Sequence, residues 1–229
     1  MNLHKAFEEC LSHKDDFIHC ENDGDFFAKT EGDTLKIFLE WSDDKADWRN
    51  NFKFLAIPWK PYKSMKNIWF CHRGFRKVWK AIKKYIEAAI MNPDIKKIEI
   101  VGYSHGAAIA LLCYEFCKFN RPDCDIQGVG FGCPRVFWGF IPASLKERVK
   151  GFKVVRNGND IVTHVPPALF GFRHISEMVK IGESKRKGAV KDFFRCVFRR
   201  DKQGIKDALI RLVCAKDHYS GEYKANLKQ

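Results

Sequence analysis

The stretch that decides the fold is IEIVGYSHGAAIALLCYEFC, residues 98–117. A short β-rich run predicts a strand before Ser104, and the apolar run after it predicts a helix. Gly102 and Gly106 stand two residues on either side of Ser104, where a sharp strand-to-helix turn leaves no room for Cβ atoms. Such a turn exposes the serine hydroxyl at a helix N-terminus, which favours developing negative charge. We therefore predict that Ser104 is a nucleophile, the alternative being a serine in a structural turn.

The segments around this stretch alternate between β-rich and helical patterns. Residues 26–41 predict two short strands around a turn, and apolar side chains at three-to-four-residue spacing predict a helix over 74–91. The runs DIQGVGFGCP (125–134) and GFKVVRNGND (151–160) are β-rich and end in turn residues. This alternation predicts an α/β fold with a mostly parallel central sheet flanked by helices. Functional groups then gather at the carboxyl ends of the strands.

The length and composition of the chain favour one globular domain over residues 1–229. The N-terminal sequence MNLHKAFEECLSHKDDF lacks the apolar core of a secretory signal, and the longest mostly apolar run, 106–117, is shorter than the roughly 20 residues that cross a bilayer. The nine cysteines are an odd number and contain no C-x-x-C pair, which favours reduced thiols over a disulfide framework or a metal site. We therefore expect a cytoplasmic protein that is soluble or peripheral to a membrane.

The net charge is +13, and the densest basic run lies within residues 180–216. Charge of this sign suits nucleic acid, an anionic membrane surface or an acidic substrate, and does not by itself choose among them. We expect a basic helical insertion at about 183–216 that packs its apolar side chains on the domain; peripheral contact with an anionic membrane is the alternative. The apolar side chains form two stripes, Phe193, Phe194, Val197 and Phe198, and Ile205, Ala208, Leu209 and Leu212. We do not expect nucleic acid as a partner, and the sequence leaves the oligomeric state open.

A serine nucleophile needs a base, and the base needs an acid that orients it. After a turn of this type the acid and the base follow the serine along the chain in that order. Asp160, in VVRNGNDIVTHVPP (154–167), follows the end of a predicted strand and is the candidate acid. Three downstream histidines are candidates for the base: His164, His174 and His218.

Several segments together resemble the class 3 lipase family of the α/β-hydrolase superfamily. They are CHRGF (71–75), IVGYSHGAAIA (100–110), GFGCPRVF (130–137) and VVRNGNDIVTHVPPALFGFRHISEMVKIG (154–182). The resemblance covers about residues 25–182 and then the C-terminal histidine. It implies an α/β-hydrolase fold in which Ser104 is the nucleophile, Asp160 the acid and His218, in AKDHYSGEY, the base.

The same resemblance implies an oxyanion hole with two hydrogen-bond donors. One is the backbone N–H of His105, the residue after the nucleophile. The other is Ser42, which stands where the family has a Ser or Thr after an Arg-Gly pair, although here Glu40-Trp41 precedes it. DDKADWRNN (43–51) matches the family's lid but is short and charged. Candidates for the lining of an acyl pocket are FLAIPWKPY (54–62) and Ala168–Phe170.

These residues imply a serine hydrolase that cleaves carboxylic esters of lipids, most simply acylglycerols, through an acyl-enzyme. The expected partner is a lipid or small ester substrate, and this chemistry requires no metal or organic cofactor. One alternative is a phospholipase A or a general carboxylesterase that acts at anionic membranes. The other is a catalytically weak lipid- or nucleic-acid-binding module, which the altered Glu40-Trp41 pair keeps open.

Overall fold

A β-sheet with helices on both faces forms the centre of the computed structural model, which describes residues 1–22, 24–39, 56–59, 69–183, 189–199, 201–204, 207–208 and 214–228. The strands are β1 (Ile18–Cys20), β2 (Gly24–Glu31), β3 (Thr34–Leu39), β4 (Ala56–Trp59), β5 (Trp69–His72), β6 (Lys97–Tyr103), β7 (Asp125–Phe131), β8 (Phe137–Trp138), β9 (Phe152–Asn157), β10 (Phe172–Arg173) and β11 (Glu177–Ile181). The α-helices are α1 (Leu3–Ser12), α2 (Arg73–Met91), α3 (His105–Asn120), α4 (Ala143–Val149), α5 (Ala189–Phe198) and α6 (Ser220–Leu227). Short 3₁₀ turns lie at Lys14–Asp16, Val162–His164, Ala168–Phe170 and Lys216–His218.

The strand order of the central sheet is β1-β2-β3-β6-β7-β9-β11 in the described residues. β3, β6, β7, β9 and β11 pair in parallel, whereas β1 and β2 are joined to them by antiparallel pairing. The expected mostly parallel sheet between helices is therefore confirmed. Tyr103 at the end of β6 pairs with Phe131 at the end of β7, so the carboxyl ends of these two strands lie level.

The two faces of the sheet bury separate apolar clusters. Along β6, Ile98 and Ile100 point into the cluster formed with α2 and α3, whereas Val101 and Tyr103 point into the cluster formed with α1 and α6. Side chains alternate between the faces of a strand, so one run of apolar residues serves both layers. The turn at Ser104 therefore extends from a strand that is buried on both sides.

A second, antiparallel sheet lies beside the carboxyl end of the central one. Its strand order is β10-β8-β5-β4, and the backbone N–H of His72 donates to the carbonyl of Val136 across 2.9 Å. No sequence pattern predicted this sheet, because β8 and β10 are two residues long each. Helix α1 was not predicted either; Asn2 caps it by accepting a hydrogen bond from the backbone N–H of Lys5.

The basic segment contains an expected helix, α5, although the side chains of Phe193 and Phe194 in its apolar stripe lie outside the described part of the structure. The α5 residues Val197 and Phe198 face solvent, and Phe198 is 87% exposed. Ala208 of the other stripe is buried. Ile205, Leu209 and Leu212 lie outside the described residues. A single domain with a basic insertion stays a prediction.

Two further properties of the described residues concern membrane-spanning helices and disulfide bonds. Among the described residues, no helix has both the length and the apolar character needed to span a bilayer. All nine cysteines lie in the described residues, and none of them forms a disulfide bond.

Candidate active site

Ser104 lies on the turn between β6 and α3 in a conformation that non-glycine residues rarely adopt. Its φ is 56° and its ψ is −122°. The backbone N–H of Ser104 donates to the carbonyl of Phe131 across 2.8 Å, which fixes the turn to the end of β7. Strained backbone of this kind costs about 1–3 kcal/mol and persists only where the surroundings hold it. The side chain is thereby directed to a defined point above the sheet.

Gly102 makes this turn sterically feasible. A Cβ atom at position 102 would lie 2.5 Å from the carbonyl oxygen of Gly106 and 2.8 Å from the Cα of Ala107. Both contacts are with helix backbone, which cannot rotate away as a side chain can. Glycine is therefore required at position 102, because strand and helix approach each other closely there.

The structure brings Ser104, His218 and Asp160 into one hydrogen-bonded row. His218 Nδ1 and Asp160 Oδ2 are 2.9 Å apart, and His218 Nε2 and Ser104 Oγ are 2.8 Å apart. Since a carboxylate only accepts, His218 donates from Nδ1, and Nε2 is left to accept the Ser104 proton. This is the geometry that a nucleophile, a base and an orienting acid require.

Asp160 is fully buried and accepts hydrogen bonds on both carboxylate oxygens. The backbone N–H of Val162 donates to Oδ1 across 2.8 Å, and the Tyr223 hydroxyl donates to Oδ2 across 2.6 Å. Burial, followed by the neighbouring Asp160 charge, raises the pKa of Tyr223 well above its ordinary value. Tyr223 is therefore a neutral donor at physiological pH and helps to fix the carboxylate.

The segment that carries His218 is attached to the loop that carries Asp160. The side-chain carboxylate of Asp217 accepts a hydrogen bond from the backbone N–H of Asn159 across 2.7 Å. The backbone carbonyl of Asp217 accepts one from the side-chain amide of Asn157 across 2.9 Å. Gly132 has a φ of 61°, and a Cβ there would lie 2.7 Å from His218 Cε1. These contacts bring His218 to the carboxyl edge of the central sheet.

Tyr103 contacts both the backbone and the ring of His218. Its hydroxyl donates to the backbone carbonyl of His218. The two rings are nearly parallel, with an interplanar angle of 21° and centroids 5.3 Å apart. The sequence reasoning missed Tyr103, Tyr223 and Asp217. Their closeness to Ser104 and His218 along the chain was a signal, but their contacts follow from the folded topology.

The other two downstream histidines have different surroundings. His174 Nε2 donates to the carbonyl of Thr163 across 2.7 Å, and burial lowers the pKa of His174 to about 4. The carbonyl of His164 accepts a hydrogen bond from Arg135. Among the described residues, it is His218 that forms the hydrogen bond with Ser104.

His105 is the first residue of α3, and the N–H groups of a first helical turn have no partner within the helix. Its backbone therefore offers a donor beside Ser104. Burial lowers the pKa of the His105 imidazole to about 4, so the ring is neutral at physiological pH.

Ser42, the other predicted donor, lies outside the described residues, as do Glu40-Trp41 and the predicted lid. Of the predicted acyl-pocket residues, Leu169 and Phe170 are exposed, Leu169 by 92%.

Comparison with known proteins gives a family and two groups of relatives. The family described as Lipase (class 3) matches residues 39–170. Secreted mono- and diacylglycerol lipase 1 of Fusarium solani is 28% identical over 62% of this chain and 42% of its own length. Secreted mono- and diacylglycerol lipase MDL5 of Malassezia globosa is 37% identical over 40% of this chain and 30% of its own length. The chain thus spans less than half the length of these curated relatives.

Solved structures of fungal lipases share the fold. The triacylglyceride lipase of Rhizomucor miehei superimposes with a TM-score of 0.59 at 23% identity, over 72% of this chain and 66% of its own. The mono- and diacylglycerol lipase of Aspergillus oryzae gives a TM-score of 0.58 at 20% identity, over 71% of this chain and 61% of its own. The expected α/β-hydrolase fold is confirmed by these superpositions.

The expected cytoplasmic location is wrong in the light of these relatives. Those from Fusarium solani and Malassezia globosa are both named as secreted lipases. The expectation depended on the pattern of the N-terminal residues and on the cysteine count. Both are indirect signs of location, and the names of matched relatives outweigh them.

Proposed function

Because the chain belongs to the class 3 lipase family, we propose that it is a serine hydrolase that cleaves carboxylic ester bonds of lipids, with acylglycerols as the substrate class. The observation that carries this proposal is the hydrogen-bonded row Ser104–His218–Asp160 at the carboxyl edge of the central sheet. The relatives from Fusarium solani and Malassezia globosa are named mono- and diacylglycerol lipases, which supports the substrate class. They are also named as secreted, which supports a site of action outside the cell.

In the proposed reaction, His218 Nε2 takes the proton of Ser104 while Ser104 Oγ forms a bond to the acyl carbon. The protonated His218 then gives its proton to the departing alcohol oxygen as the ester bond breaks, which leaves an acyl-enzyme. His218 then takes a proton from a water molecule whose oxygen bonds to the acyl carbon, and it returns that proton to Ser104 Oγ as the serine–acyl bond breaks and the fatty acid leaves. Asp160 holds the imidazole tautomer and stabilises its cation in both halves of the reaction.

The negative charge on the tetrahedral oxygen needs donors that are already in place. We assign the backbone N–H of His105 as one donor and the Ser42 hydroxyl as the other. The helix N-terminus at His105 supports the first assignment, since the N–H groups and the dipole of a first helical turn favour an anion. Each donor of this kind contributes on the order of 100-fold or more in rate.

Contact with an anionic lipid surface through the basic segment belongs to the same proposal. Helix α5 exposes Phe198 beside Lys191, Arg195 and Arg199, all of them exposed. An exposed aromatic side chain among cations suits the interface of an anionic membrane, where each basic residue contributes about 1 kcal/mol.

The test of the enzymatic proposal is hydrolysis of p-nitrophenyl esters of increasing chain length by the wild type and by Ser104→Ala. We expect turnover by the wild type and a loss of at least about 1000-fold in the variant, because the nucleophile is removed. Ser144→Ala, at an exposed serine of α4, is the matched control and should retain activity. The proposal fails if the wild type is no faster than Ser104→Ala on every ester.

A comparison of monoacylglycerol and diacylglycerol with phosphatidylcholine then separates the substrate classes. Preference for the acylglycerols supports the proposal. Preference for phosphatidylcholine favours a phospholipase A, and turnover of short esters alone favours a general carboxylesterase.

A further inference from the structure

Tyr103 is the residue directly before the proposed nucleophile, and it also contacts the proposed base, His218. It is buried and ends β6, so its position is fixed by the pairing of that strand with β7. Its ring makes T-shaped contacts with Phe7 of α1, at a centroid distance of 5.4 Å, and with Tyr223 of α6, at 5.9 Å. The Tyr103 side chain is therefore held by the sheet and by both helices of one layer.

The contacts between Tyr103 and His218 are of two kinds. The hydroxyl of Tyr103 donates to the backbone carbonyl of His218, which fixes the short turn Lys216–His218 that presents the base. The ring lies nearly parallel to the imidazole at 5.3 Å between centroids. The face of an aromatic ring carries partial negative charge and attracts a cation within about 6 Å, more strongly where water is excluded. The side chain of His218 is only 12% exposed, so water screens this attraction weakly.

We propose that Tyr103 is a positioning residue for the base: its hydroxyl holds the backbone of His218 in place, and its ring stabilises the imidazolium that forms when His218 takes the serine proton. This inference rests on the proposed serine-hydrolase function. Tyr103 and Ser104 are consecutive residues, so the carboxyl end of β6 helps to position both the nucleophile and the base.

Other groups also face His218, and the substitutions at Tyr103 leave these residues themselves unchanged. Asp160 faces it from the loop after β9, and Tyr223 faces it from α6 with ring centroids 6.4 Å apart. Its own segment contributes Lys216 and Asp217, and the Asp217 carboxylate accepts from the backbone of Asn159. Helix α1 contributes the apolar ring of Phe7, which meets Tyr103 and Tyr223. A change in pH dependence on altering the ring of Tyr103 therefore reports on that ring.

The experiment measures kcat and KM on a short p-nitrophenyl ester from pH 5 to 9. Tyr103→Phe keeps the ring and removes the hydroxyl, and Tyr103→Leu removes both. We expect Tyr103→Phe to lower kcat about fivefold, the effect of one lost hydrogen bond, with KM and the acid limb unchanged. In Tyr103→Leu we expect a larger fall in kcat and an acid limb displaced to lower pH by about half a unit, because the imidazolium loses its aromatic neighbour. Tyr85→Leu, at an exposed tyrosine of α2, should match the wild type.

A second comparison keeps the shape of the ring, so that it also decides the question where Tyr103→Leu does not fold. Pentafluorophenylalanine placed at position 103 has the outline of phenylalanine but an electron-poor face. Relative to Tyr103→Phe, we expect its acid limb to lie at lower pH and its kcat to be smaller. Coincident profiles for these two proteins, with an active wild type, would overturn the role of the ring. Wild-type kcat in Tyr103→Phe would overturn the role of the hydroxyl. An inactive wild type would instead refute the proposed function.

Discussion

Ser104 shows how a single backbone conformation links packing to chemistry. Its positive φ is unfavourable for a residue with a Cβ atom, and the surrounding structure holds it through the hydrogen bond to Phe131 and the close contact of Gly102 with α3. The sequence predicted both the serine and the need for glycine, because a strand-to-helix turn of this sharpness dictates them locally. Tyr103 and Tyr223 could not be assigned in the same way, since their roles depend on where the C-terminal segment docks.

We expect Gly102→Ala to reduce both stability and activity. The added methyl group would meet the backbone of Gly106 at 2.5 Å, so strand and helix must separate. Overpacking of this kind costs about 1–3 kcal/mol, which urea unfolding would measure, and the ester assay would report the displaced serine. Gly221→Ala is the control, because a Cβ at that α6 position has nothing within 4 Å. Equal stability of the two variants would contradict the steric argument.

Among the elements, those with a long local pattern could be predicted and the short ones could not. The periodicity over 74–91 and the glycine-flanked run after β6 correspond to α2 and α3. In contrast, β8 and β10 form because they pair with each other and with β5, residues distant along the chain. The stripe of Phe193, Phe194, Val197 and Phe198 in α5 was also expected to pack on the domain. The structure leaves Val197 and Phe198 exposed, and the side chains of the other two lie outside the described residues. An amphipathic pattern shows that a helix has an apolar face and leaves open what covers it.

We expect α5 to bind anionic vesicles through its cations and Phe198. Reversing two charges, in Lys191→Glu/Arg199→Glu, should weaken sedimentation with phosphatidylserine-containing vesicles at least tenfold, since each cation contributes about 1 kcal/mol. Lys77→Glu/Lys80→Glu makes the same change in net charge on exposed positions of α2 and serves as the control. High salt should weaken binding of the wild type. Equal binding to neutral and anionic vesicles, or an equal loss in the control, would argue against α5 as the contact.

For the whole molecule, two partly buried histidines contribute to the response of stability to pH. Burial lowers the pKa of both His105 and His174 from 6.5 to about 4. Above pH 6.5 these rings are neutral in the folded and unfolded chain alike. Between pH 6.5 and 4 these histidines are protonated in the unfolded chain but neutral in the folded one. The free energy of unfolding therefore falls as the pH falls.

We therefore expect urea unfolding to show lower stability at pH 5 than at pH 7, with a slope of up to about 1.4 kcal/mol per pH unit for each of the two histidines. His174→Gln should reduce this slope while leaving a side-chain N–H to donate to Thr163. Glu31 and Asp123, whose pKa values are lowered to about 2 by their Lys and Arg partners, affect stability mainly below this window. An unchanged slope in His174→Gln would show that this ring is not responsible.

The attachment of His218 also has a consequence for the order of folding. Ser104 and Asp160 follow strands of the central sheet, whereas His218 reaches them on a C-terminal segment that is tied down by Asp217 and Tyr223. In synthesis from the N-terminus, the sheet and its two earlier groups emerge before the base does. In the proposed enzyme, turnover therefore requires the segment that carries His218 to dock against Asp160 and Ser104, and recovery of turnover during refolding would report on that docking step.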